Sequence, residues 1–324
     1  MKALVIGGAG FIGSHLCKAL LEEGNAVVCA DNFSLGTKQN IAGFEGNPEF
    51  KVYEADAAVY RDMDGIFGKE RPDYVFHLAA NSDIQASALR PEVEYRNTYT
   101  TTFQILSCMR AHRVKRLFFA STSAVYGDKR EVRLDEETSG LSPISYYGAA
   151  KLGSEALISA FSYMNDMEAL VFRFPNVVGP GLTHGVIYDF IRKLQKDPGH
   201  LQILGDGRQT KPYIYVSDLV GAICRFCHMQ RSGVDLYNVG AEGETSVARI
   251  ADLTCEAMGL KNVEYRYTGG EGGWKGDVPR FRYCMDKIHE AGWRAKYHSD
   301  QAVEMAVRKN LGRESGEDPG GRVP

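Results

Sequence analysis

The chain has 324 residues, 44 % of them hydrophobic and 24 % charged, with a formal net charge of −3 and a pI near 6.3. That length can bury a full core in one large domain or two ordinary ones. The weakly acidic balance excludes a basic grip on nucleic acid or on an anionic membrane as the default partner.

The first segment, "MKALVIGGAGFIGSHL", has one lysine ahead of an apolar run that glycines interrupt. It reads as strand, turn and helix rather than as a targeting peptide. No later stretch reaches the roughly 18 unbroken apolar residues of a membrane span. Short β-branched runs then recur at 2–7, 26–31, 50–56, 73–80, 115–122 and 168–174, with amphipathic helical segments at 11–23, 59–68, 91–112 and 145–164. Alternation of this kind predicts an α/β, doubly wound parallel sheet with helices on both faces. The nearly continuous apolar strands are those of a sheet buried on both sides. Beyond residue 175 the rhythm breaks. A turn-rich stretch (176–185) precedes a helix near 186–196, a strand at 201–204, and a strand at 211–216 that runs into a helix near Ser217. We expect a first unit of residues 1–174 with a return over about 213–238. A second, smaller α/β unit spans 175–212 and 239–311, followed by a loosely held Gly/Pro-rich tail, 312–324. The seven cysteines are scattered. Cys224 and Cys227 form a lone "CRFC" without a second ligand pair, so buried thiols in a reducing, cytoplasmic setting are expected and no metal.

Two places carry chemistry. Gly7, Gly10 and Gly13 follow a strand and open a helix, where backbone N–H groups and the helix N-terminus can receive a pyrophosphate. Asp31 ends the second strand 21 residues after Gly10, where an acid accepts from a ribose 2′-OH and repels a 2′-phosphate. NAD is therefore favoured over NADP. In "SYYGAAK" (145–151), helical spacing puts Tyr147 and Lys151 on one face and rotates Tyr146 away. A phenol of pKa about 10 is too weak a base at neutral pH. Lys151 and an oxidised nicotinamide are two cations that would lower it. "ASTSAVYG" (120–127), at the end of an apolar strand, adds the hydroxyls of Ser121, Thr122 and Ser123.

The glycine loop, Asp31, "HLAA" (77–80), "ASTSAVYG", "YGAAK" and "RFPNVVGPG" (173–181) stand in the order of the extended short-chain dehydrogenase/reductases, over roughly residues 1–310. The chain resembles most the nucleotide-sugar 4-epimerases of that family, of the UDP-glucose 4-epimerase type. The resemblance implies Thr122, Tyr147 and Lys151 as catalytic residues, acting in transient oxidation at sugar C4 and return of the hydride to the opposite face. It implies cofactor contacts from Gly7, Gly10, Phe11, Ile12 and Gly13, then Asp31, Asn32, Ser34 and Gly36. Asp56, which would meet the adenine amino group, and Ala57 follow, then Leu78, Ala79, Ala80 and Asn97. Ser121, Tyr147, Lys151 and Phe174 complete that set. It implies substrate contacts from Ser123, Tyr147, Asn176, Val186, Lys211, Trp274 and Asp277. The first unit would hold NAD and the second the nucleotide sugar. The helices 91–112 and 145–164 would form a four-helix homodimer interface.

The chain departs from the family pattern at two substrate positions. Lys211 and Trp274 stand where arginines would meet the diphosphate, and Lys275, Arg280 or Arg282 would then compensate. Phe281 implies a narrow sugar pocket. A nucleotide-sugar 4,6-dehydratase, decarboxylase or 4-ketoreductase is the alternative enzyme. Ser123 and Ala124 after Thr122 bring no carboxyl group for elimination, although Asp83 could supply one. A non-catalytic dinucleotide-sensing protein is the reading from another class, and the retained Tyr147, Lys151 and Thr122 argue against it.

Overall fold

The computed structural model describes residues 1–82, 84, 88–130 and 132–312. Seven strands form one sheet: β1 (Lys2–Ile6), β2 (Ala26–Asp31), β3 (Phe50–Glu54), β4 (Tyr74–His77), β5 (Arg116–Thr122), β6 (Glu168–Phe174) and β7 (Val234–Asn238). All run parallel, in the order β7-β6-β5-β4-β1-β2-β3. The winding direction reverses between β1 and β4, and that switch opens a crevice beyond the carboxyl ends of the strands.

The longer helices are α1 (Phe11–Glu22), α2 (Tyr60–Glu70), α3 (91–111), α4 (Tyr146–Asn165), α5 (Val186–Lys196), α6 (Val216–Cys227), α7 (Val247–Met258) and α8 (Ser299–Asn310). Side chains alternate across the pleat. Ala3 and Val5 of β1 therefore join a core under α1 and α6, with Leu16, Leu20, Leu219 and Ile223. Leu4 and Ile6 join a second core on the opposite face, with Met63, Phe67, Ile105, Met109 and Ile158. The chain comes back to the sheet where β7 pairs with β6 and α6 is buried in the core of α1.

A third core gathers Ile187, Phe190 and Leu194 of α5, Leu201, Ile203, Ile250, Val303 and Val307. Short strands frame it: Asn176–Val178 pairs with Tyr213–Tyr215, and His200–Ile203 with Glu264–Tyr267. Arg282–Tyr283 pairs with Arg133–Leu134, and Phe281 packs there with Val125, Tyr126 and Leu134. The predicted helix at 91–112 is not uniform. It is α-helical over Pro91–Glu94, wound as a π-helix over Tyr95–Thr100, and α-helical again over Thr101–Ala111. Among the described residues no helix is long and apolar enough to cross a membrane. Asp83, and the tail from residue 313, lie outside the described residues.

Candidate active site

A cleft of about 820 Å³ lies at the carboxyl edge of the sheet and reaches α5 and the 273–281 segment. Its floor begins at the glycine turn. Gly7 has φ +83°, and a Cβ there would lie 2.7 Å from the Ala79 nitrogen. A Cβ on Gly13 would lie 2.1 Å from the Gly7 carbonyl oxygen. No side chain fits between this turn and the β4 loop, so the backbone itself meets whatever binds. Gly10 leads into α1, whose first turn faces the cleft with Phe11, Ile12 and Gly13.

Asp31 closes β2 beside this turn. Its carboxylate accepts from the Ala9 N–H at 2.9 Å and from the Phe33 N–H at 2.8 Å. Burial pushes its carboxyl above the ordinary range, while the backbone N–H groups of Phe33, Ala9 and Gly10 work the other way. Asn32, Ser34, Gly36, Asp56, Ala57, Leu78, Ala79, Ala80, Asn97 and Phe174 all line the same cleft. Asp56 is engaged by Arg96, whose Nη2 stands 2.6 Å from Oδ2. Ser121 is the exception among the predicted cofactor residues. It is fully buried outside the cleft lining and donates to Glu155, which pairs with Arg173 at 2.7 Å. Its hydroxyl faces the core because alternate residues of β5 point to opposite sides.

The two tyrosines of "SYYGAAK" separate as helical geometry requires. The Ser145 side chain accepts from the Gly148 N–H at 3.1 Å and starts α4. Tyr146 then points out, 53 % exposed, and Tyr147 faces the cleft. Lys151, one turn on, is buried. Its Nζ donates to the Ala120 carbonyl at 2.7 Å and stands 5.8 Å from the Tyr147 ring centre. Thr122 Oγ1 accepts from the Ala124 N–H at 3.1 Å, and Thr122 lines the cleft with Tyr147.

The electrostatics correct one expectation. Lys151 does not bring the phenol down by itself. Burial pushes Tyr147 well above its ordinary value, the Glu94 carboxylate adds to this, and Thr122 opposes it. Lys151 is itself lowered to about 7 by burial, against the raising effects of Glu94 and Glu155. Desolvation is the largest influence on both groups.

Ser123, Asn176, Val186, Lys211, Trp274 and Asp277 line the far half of the cleft, with Phe281. Lys211 and Asp277 form an ion pair, and Asp277 also accepts from the Gly273 N–H at 3.1 Å. Lys211 is therefore already matched by an anion. Lys275, Arg280 and Arg282, the expected substitutes, are exposed and outside the lining. Lys193 and His184 line it instead. Sequence reasoning missed both. The signal was the i+4 row of α5, along which Lys193 shares a face with Asp189. Asn81, which lines the cleft, and Glu94 behind it were also missed. Among the described residues no group of three His, Cys, Asp or Glu side chains could hold a metal.

A phenol and a hydroxyl lining one cleft at the edge of a doubly wound sheet, beside a glycine turn that no side chain fills, fit a dinucleotide-dependent enzyme acting at an alcohol or ketone carbon. The comparisons narrow this class. The chain belongs to the NAD dependent epimerase/dehydratase family, whose model matches residues 3–240. It is 32 % identical over 337 residues to UDP-arabinose 4-epimerase 1 of Arabidopsis thaliana, covering 94 % of this chain and 78 % of that protein. It is 30 % identical over 288 residues to the UDP-glucose 4-epimerase of Lactobacillus helveticus, covering 83 % and 84 %. The crystal structure of the Thermotoga maritima UDP-glucose 4-epimerase with UDP-glucose superposes with a TM-score of 0.85 at 30 % identity, covering 95 % of this chain and 98 % of that one.

Proposed function

We propose that the protein interconverts the C4 epimers of a UDP-sugar with NAD as its cofactor. What carries this reading is the placement of Tyr147 and Thr122 together in one cleft, between its glycine-turn half and its Asn176 half. The glycine turn that a single Cβ would block, and the acid at the end of β2, fit NAD. When bound, NAD supplies a hydride acceptor that can also return the hydride. Tyr147 takes the proton of the sugar 4-hydroxyl and gives it back to the same oxygen. Thr122, its lone pair engaged by Ala124, turns its O–H toward that oxygen and orients it. Lys151, anchored on Ala120, presents its remaining N–H donors to the cofactor side of the cleft. Asn176, Lys193 and His184 receive the diphosphate half, and Phe281 narrows the sugar end. Ser123 and Ala124 line the wall after Thr122 without a carboxyl group, which favours epimerisation over elimination.

The test is incubation of the purified protein with UDP-, GDP- and dTDP-sugars without added cofactor. Conversion at constant mass is the expected result, and loss of water or CO₂ would overturn the reading. Asp31→Ala should weaken NAD on the order of tenfold, the scale of a charge-assisted hydrogen bond, and relax the preference over NADP. Fluorescence titration with both dinucleotides measures it, and an unchanged preference would reduce Asp31 to a support of the Ala9 and Phe33 backbone.

We assign residues 1–174 and about 213–238 to cofactor binding, and 175–212 and 239–311 to the nucleotide sugar. We also assign a homodimer formed through α3 and α4. Tyr95, Phe103, Tyr163 and Met164 expose apolar surface on these two helices, and Phe103 meets Phe161 edge-on at 6.1 Å. Apolar side chains exposed on two neighbouring helices support an interface there. Sedimentation should show a dimer that Phe103→Glu with Tyr163→Glu converts to monomer; an unchanged mass would remove the assignment. The seven free, buried cysteines support a cytoplasmic setting.

A further inference from the structure

Glu94 ends the first α-helical segment of α3 and is only 1 % exposed. A carboxylate so placed needs partners. Asn81 Nδ2 donates to one oxygen at 2.7 Å and Thr98 Oγ1 to the other at 2.8 Å. Thr98 in turn receives the Asn81 N–H at 3.4 Å, so its own proton points to Glu94. Both carboxyl oxygens accept, which is the pattern of an ionised group. The π-helical winding of the next six residues lets Glu94 and Thr98 turn inward while Asn97 and Thr101 line the cleft. The Pro91–Glu94 segment packs on α4, the helix of Tyr147 and Lys151.

Three other groups surround the pair. Glu155 of α4 is engaged by Arg173. His77 of β4 is buried, hydrogen-bonds Thr102 at 2.9 Å, and is held well below its usual range by burial and by Lys151. Thr122 of β5 is uncharged. Glu94, by contrast, is met among the described residues by the neutral donors Asn81 and Thr98, and the segment it ends packs on the helix that carries the pair.

We propose that Glu94 is a positioning residue of the reaction, its buried carboxylate being the counter-charge against which the phenol proton of Tyr147 and the ammonium of Lys151 are held. This rests on the reading of Tyr147 as the group that moves the proton. The carboxylate opposes phenolate and favours the ammonium form of Lys151, so the phenol would yield its proton more readily with the positive nicotinamide seated.

The test is an ultraviolet difference titration of tyrosinate in the NAD-loaded protein, with Tyr147→Phe to assign the step. Glu94→Gln should move that step to lower pH by about one unit, the scale of one nearby charge. Glu94→Asp, which keeps the charge, should leave it within a few tenths of the wild-type position. A step unmoved in Glu94→Gln overturns the proposal. A wild-type titration with no step lost in Tyr147→Phe overturns the assignment of Tyr147 instead. Glu94→Met is the second neutral variant, since an apolar replacement of a buried charge is often tolerated. If neither neutral variant folds, Glu94 is a folding residue and the proposal falls.

Discussion

Tyr147→Phe is expected to purify with NAD in place and to turn over at least ~100-fold more slowly, the scale of a lost acid–base group. The change removes one oxygen and little else. Tyr147 lies in the first turn of α4, whose cap on Ser145 is untouched, and Lys151 remains anchored on Ala120 at 2.7 Å. The cofactor half of the cleft, from Gly7 to Ala80, gains no contact and loses none. Bound NAD is measured by absorbance after acid release, and turnover by chromatography of the sugar nucleotides. Full NAD content with near-normal turnover would mean that Thr122 or another group moves the proton. Loss of NAD with the phenol would mean that Tyr147 serves cofactor binding first.

Gly13→Ala is expected to yield protein without NAD. The new Cβ would stand 2.1 Å from the Gly7 carbonyl oxygen and 2.8 Å from the Gly8 Cα. Those neighbours are backbone, so no rotamer change relieves the clash. Gly7 has little room on its other side, where even a Cβ would lie 2.7 Å from the Ala79 nitrogen. Relief requires α1 to move away from the turn, which withdraws the helix N-terminus from the pyrophosphate site. Overpacking of this kind costs about 1–3 kcal/mol of stability, read as a lowered unfolding midpoint. Retained NAD at wild-type stability would show that the turn can widen and that its glycines are not required for close approach.

Much of this was legible in the sequence because it depends on local geometry. Nearly continuous apolar runs alternating with helical stretches gave six sheet strands within one to three residues at each end, and the seventh strand, Val234–Asn238, follows a helix instead of closing that alternation. A spacing of four is enough to put Tyr147 with Lys151 and to send Tyr146 to the surface. The second strand ends where Asp31 must reach the glycine turn. The positions matched by family resemblance line one cleft, with Ser121 the exception.

What stayed hidden depends on residues distant in the chain, or on how far water is kept out. Nothing in the sequence marks the π-helical winding after Glu94, and so nothing shows that Glu94 and Asn81, thirteen residues apart, share a hydrogen bond. The ion pair of Lys211 with Asp277 spans 66 residues. It leaves less of the lysine for a phosphate than its place in the chain implies. Local spacing could place the phenol and the ammonium together but could not say which of two opposed effects governs them. The chain alone determined the parallel sheet, the glycine turn at its edge and the pairing of Tyr147 with Lys151, since apolar runs, helical period and glycine sterics act within a few residues. Tertiary structure alone decided how far that pair is withdrawn from water, because the proton affinity of a buried group is set by what surrounds it, and the surroundings of Tyr147 come from α3, β5 and the cleft together.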